Sequence, residues 1–119
     1  MNNLLFNKRL KDANDTVSLD IDLAVSKYIE LEKDVRNYYS NKDLVSFYNT
    51  IDYIIYLNLY PDKKIKLIEE PLHLLYYFMG LAYEKKKDYL NAKESYDKSL
   101  KMNIFFYAAF MKKVYCFKY

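Results

Sequence analysis

Glycine and proline are nearly absent, with one Gly and two Pro in 119 residues. Many-stranded folds draw heavily on both residues for their turns, so a β-rich architecture is disfavoured, as is a glycine-rich phosphate loop. Cysteine and histidine each occur once. An intramolecular disulfide is therefore excluded, and a zinc site of the usual Cys/His kind lacks its ligands. A lone unpaired thiol points to a reducing compartment, so a cytoplasmic location is expected. No stretch approaches the roughly 18 apolar residues of a membrane span. The densest, Ile104 to Met111, stops at Lys112 and Lys113 and reaches at most a bilayer surface. Near the start only Leu4 to Phe6 are adjacent and apolar, too few for a secretory signal core.

What is present suits one small domain with a real core. Hydrophobic residues make up 52% and charged residues 29%, which argues against disorder. Charge is unevenly spread: residues 1–60 carry a net of −2 and residues 61–119 a net of +5. The total of +3 is too small to argue for nucleic acid. Fifteen tyrosines accompany abundant Lys, Asn, Ile and Phe, all encoded by A/T-rich codons. The number of tyrosines is therefore a coding effect, and only their positions carry information.

Pro61 and Pro71 divide the chain, because proline inside a helix costs about 3 kcal/mol. Before them the pattern predicts two long helices. The first begins near Thr16 or Ser18, with Asp20 and Asp22 in its first turn. Val17, Leu19, Ile21, Leu23 and Val25 alternate as in a strand, but from Ile21 the spacing fits a helix better. The second follows the turn at Ser40 to Asp43, with an apolar face of Leu44, Phe47, Tyr48, Ile51, Ile54 and Ile55. After them come a helix over about 72–86, with Pro71 in its first turn, and a partner over about 89–101 capped by Asp88. Residues 104–119 form one more helix, apolar nearly all round; residues 1–15 are an arm or a short helix. The fold class is all-α, with about five helices in antiparallel hairpins.

One stretch has fixed internal spacing. Gly80 is followed at three by Tyr83, at eight and nine by Asp88 and Tyr89, at twelve by Ala92 and at sixteen by Tyr96. Gly80 and Ala92 are small where two helices must approach closely, and the tyrosines are large where the next pair docks. With Tyr76 four residues before Gly80, residues 72–103 resemble a tetratricopeptide repeat. A weaker copy lies over 31–59, with Val35, Tyr38, Asp43, Leu44, Phe47 and Ile51 at matching places. Its bulky Val35 and Phe47 imply a splayed hairpin, and residues 60–71 form a connector. The resemblance implies a right-handed superhelix whose first helices line a concave groove. It places Leu74, Tyr77, Leu81 and Glu84 in that groove, together with Arg36, Tyr39, Met111 and Tyr115 from flanking helices.

The resemblance implies a non-catalytic module that binds another protein or a peptide, and no cofactor is expected. Tyr77, Phe78 and Leu81 stand where chaperone-binding members carry a Lys/Asn carboxylate clamp, so that partner class is not expected. Phe105, Phe106, Phe110, Val114 and Phe117, with Ile104, Tyr107 and Met111, leave the last helix apolar on more than one side. It is therefore expected to pack on a second copy or a partner, unless Leu4, Leu5 and Phe6 fold over it. His73 is alone and expected to be partly buried or at the surface. Cys116 has no histidine beside it and reads as a small hydrophobe. Glu69/Glu70 and Asp20/Asp22 read as helix ends and solvated faces, so no catalytic arrangement is expected. Other readings are a peptide-sensing regulator, for which no linked DNA-binding segment is evident, and a small basic immunity-type antagonist acting at a membrane surface.

Overall fold

The computed structural model describes residues 2–40 and 43–117. It is mainly helical, as expected. In chain order the elements are α1 (Asn3–Thr16), α2 (Ile21–Tyr39), β1 (Leu44–Val45), α3 (Thr50–Leu59), β2 (Lys66–Leu67), α4 (Leu72–Lys85), α5 (Tyr89–Met102) and α6 (Tyr107–Cys116).

The N-terminal residues form a complete helix and not an arm. Asn2 caps α1 by accepting from the Leu5 N–H at 3.0 Å. Phe6, Leu10, Ala13 and Thr16 recur at helical spacing and are buried. They meet the α2 face built from Ala24, Val25, Tyr28, Leu31 and Val35. The strand-like alternation before Ile21 is resolved as a turn: Val17 to Asp20 lie outside both helices, and Leu19 is 86% exposed. Asp20, not Thr16 or Ser18, caps α2 by accepting from the Leu23 N–H at 3.1 Å.

The expected hairpin of residues 16–59 does not form. Helix α2 pairs with α1 and then with α4, while α3 stands outside the stack. The reason lies just after α2. Ser40 adopts a left-handed conformation that ends the helix, and Leu44 to Ser46 then run extended and buried. The first turn expected of the next helix is therefore β1, paired in parallel with β2 in the register Leu44↔Lys66 and Val45↔Leu67. Parallel pairing demands a crossover, and α3 is that crossover. Asn49 caps it by accepting from the Asp52 N–H at 2.8 Å. Asn41 and Lys42, also within the expected turn, lie outside the described residues.

The second half follows the sequence closely. Pro71 sits at the N-cap of α4, just ahead of its first turn, and α4 ends at Lys85. Asp88 caps α5, accepting from the Asn91 N–H at 3.3 Å. Helix α6 is shorter than expected. The Asn103 side chain accepts from the Phe105 N–H at 3.0 Å and its carbonyl from the Phe106 N–H at 3.1 Å, which holds 103–106 in a turn. Apart from α3, each helix packs on the next in the order α1, α2, α4, α5, α6.

Candidate interaction site

Helices α4 and α5 approach closely where Gly80 meets Tyr96. A Cβ on Gly80 would lie 2.3 Å from Cε1 of the Tyr96 ring. Tyr96 and Ala92 are fully buried, and the ring packs near Tyr77, with centroids 6.0 Å apart. Tyr76 is also fully buried, whereas Tyr83 and Tyr89 are partly buried at the margins of the core. The close approach of α4 and α5 sets how α4 presents its other face.

That other face opens toward α1 and α2. A groove of about 300 Å³ lies there, lined by Val17, Tyr28, Phe78, Leu81 and Ala82, with Asn14 and Lys85 at its polar edge. Tyr28 is held in place by its hydroxyl, which donates to Asn14 Oδ1 at 2.5 Å. Burial pushes that phenol up to about 12. Leu81 is the expected groove residue that lines this space.

The other expected groove residues are dispersed. Leu74 is partly buried against the main core. Tyr77 is engaged by the Phe106 ring at 5.2 Å between centroids. Glu84 bonds Lys112 Nζ at 3.0 Å and accepts from the Cys116 thiol at 3.5 Å. Cys116 is fully buried, and burial with the Glu84 carboxylate raises its thiol to about 11. Met111 and Tyr115 lie on α6, both exposed. Arg36 and Tyr39 do not share the groove. Arg36 donates to the Tyr76 hydroxyl of α4 from Nε at 3.0 Å and Nη2 at 2.7 Å. Tyr39 donates to Glu70, which is 2% exposed and so not the solvated carboxylate expected.

The aromatic face of the tail is divided. Phe106 is buried within its own chain, between the rings of Tyr48, His73 and Tyr77, and Phe105 stacks near Phe47. Phe110, Val114 and Phe117 remain exposed. The N-terminal segment does not cover them: Phe6 is buried against the α1–α2 core, and Leu4 and Leu5 face solvent.

His73 is buried and not peripheral, at 1% exposure. Its backbone N–H donates to Ser46 Oγ at 3.3 Å, and the Ser46 hydroxyl lies 2.6 Å from Nδ1. Burial lowers the imidazole to about 4, and it is neutral near pH 7. A hydroxyl and an imidazole at this distance resemble a nucleophile–base couple, but Ser46 is equally sealed from solvent. The pair ties β1 to α4. Nothing near Ser46 in the sequence signalled it, because the two residues meet only through the β1–β2 crossover.

Among the described residues, no three His, Cys, Asp or Glu side chains converge as a metal site. Among them too, no helix is long and apolar enough to cross a membrane. Comparison with protein-family models, with curated proteins and with solved structures gives no significant match in any of the three.

Proposed function

We propose that the chain is a small, non-catalytic, tetratricopeptide-like interaction module that seats an amphipathic helix of a partner protein between α1 and α4. The observation that carries this reading is the groove itself. Val17, Phe78 and Leu81 present an apolar floor between two stacked hairpins. Lys85 at its edge favours a ligand helix with an acidic flank. The spacing Tyr76, Gly80, Tyr83, Tyr89, Ala92 and Tyr96 supports the likeness to the repeat family, since the buried Gly80–Tyr96 crossing gives it a mechanical purpose. Self-association is part of the proposal, through Phe110, Val114 and Phe117 of α6.

The test uses the full chain. Proteins captured by the wild type are identified, and a helix of the captured protein is titrated calorimetrically against a Phe78→Ala/Leu81→Ala variant. These two positions are preferred to Tyr77, whose ring is built into the core. Binding at least about tenfold weaker, with folding retained, is the expected result. Unchanged binding would remove the groove from consideration. Liposome flotation of the wild type would favour action at a membrane surface instead. A monomer by light scattering, at concentrations well above those of the binding assay, would end the self-association part alone.

A further inference from the structure

On the side of the stack away from α1, a cleft of about 280 Å³ lies between α2, β1, α3, the segment after Pro61, and α5. Its lining has two chemical halves. Leu44, Val45, Ile65 and Met102 make an apolar wall beside the Tyr56 ring. Arg36, Lys63, Lys98 and Lys101 contribute four cations from three separate stretches of chain, against one lining carboxylate, Asp43.

Two of the cations converge on a single anchor. The Arg36 guanidinium carbon lies 5.8 Å from the centroid of the Tyr76 ring, and Lys98 Nζ lies 6.0 Å from the same centroid. Two hydrogen bonds to the Tyr76 hydroxyl fix the guanidinium, and Tyr76 is itself fully buried. An orientation set in this way loses little freedom when an anion arrives. Lys63 is held over the Tyr60 ring at 5.6 Å. Two carboxylates also lie near these cations. Glu32 is 3.9 Å from Arg36 and Glu94 is 3.5 Å from Lys98, each one helical turn away on the same helix. Among the described residues no ion pair is recorded for Lys63 or Lys101. Four like charges around one small cleft repel one another, a cost that a bound anion would turn into attraction.

We infer that this cleft binds a small organic phosphate, with the phosphate among Arg36, Lys98 and Lys101 and the organic part against Tyr56 and Met102. The volume lies just below the usual range of about 300–1,000 Å³ for small-molecule sites, so it suits a small ligand. Guanidinium and ammonium groups give phosphate oxygens charge-assisted hydrogen bonds, and the apolar wall selects for a body attached to it. The inference is independent of the α1–α4 groove, so either can fail alone.

Calorimetric titration of the full chain with adenosine 5′-monophosphate, inorganic phosphate and adenosine separates the two halves. The nucleotide is expected to bind more tightly than inorganic phosphate, and adenosine is expected not to bind at millimolar concentration. A Lys98→Gln/Lys101→Gln variant is expected to bind the nucleotide at least about tenfold more weakly, each lost charge-assisted contact being worth roughly that factor. Both lysines are exposed, so folding should be retained, and circular dichroism checks it. Lys8→Gln/Lys33→Gln makes the same change in net charge outside the cleft and is expected to bind as the wild type does. Four results would overturn the inference: no binding by either phosphate probe, equal weakening in both variants, adenosine binding as tightly as its phosphate, or inorganic phosphate binding while the nucleotide does not.

Discussion

The hairpins α1–α2 and α4–α5 have the same outline but are held by different means. In α5, Ala92 and Tyr96 stand four residues apart and are fully buried; in α2, Ala24 and Tyr28 repeat that arrangement. The second hairpin closes by contact, with Gly80 against the Tyr96 ring and Ser99 Oγ donating to the His73 carbonyl at 2.7 Å. The first is tied along its edges. Arg9 reaches Asp34 at 2.9 Å, Lys27 reaches Asp12 at 2.8 Å, and Tyr28 reaches Asn14. Side-chain volume therefore governs one hairpin, while charge and hydrogen bonding at the rim contribute to the other.

The strongest way to break this contrast is Gly80→Leu. Replacing helical glycine ordinarily stabilises by about 1 kcal/mol, but here the new side chain collides with a ring that has no room to swing. Destabilisation above about 3 kcal/mol is expected from denaturant unfolding. Gly80→Ala is expected to cost about 2 kcal/mol, with part of the loss recovered in a Tyr96→Leu background.

His73 gives a second, pH-dependent handle on the α4–α5 side. Its folded value near 4 lies below the ordinary 6.5, so between these pH values the unfolded chain binds the extra proton. Stability is therefore complete above about pH 6.5 and falls as pH drops toward 4, by up to about 3 kcal/mol. Urea midpoints measured across that window should show the slope in the wild type and lose most of it in His73→Gln. A flat wild-type profile would contradict the burial of the imidazole.

Smaller effects sharpen the comparison. Asp88→Ala removes the cap of α5 and is expected to lower stability by about 1 kcal/mol in thermal melts. At the rim of the first hairpin, a double-mutant cycle on Arg9 and Asp34 should give a coupling of about 0.5 kcal/mol that shrinks with added salt. A coupling as large as the Gly80→Ala effect would erase the distinction between the hairpins.

The same contrast explains what was legible in the sequence. Helices α4 and α5 were bounded nearly to the residue, because Pro71, Gly80 and Asp88 act on neighbours within one or two turns. The α2–α3 pairing was misread because the competing partner, β2, lies some twenty residues downstream, and nothing local in Leu44–Val45 announces it. Helix α1 was readable only as an arm or short helix, since its short apolar stripe gains meaning only against Tyr28 and Leu31. Among the expected groove residues, Leu81 was placed by its own hairpin. Arg36 and Tyr39 depended on which neighbour α2 would choose, and they follow Tyr76 of α4 and Glu70. The cationic cleft joins residues from both sides of the crossover, a proximity that spacing along the chain does not encode.

The solitary thiol supplies a clock that needs no engineering. Cys116, at the end of α6, is buried against Ala92 and Tyr96 beside Glu84 and holds its proton up to about pH 11, so a thiol-selective reagent can react only when α6 lifts from the stack. The labelling rate in dilute protein therefore measures how often the last helix departs. Any ligand that clasps that helix should slow the clock in proportion to its occupancy.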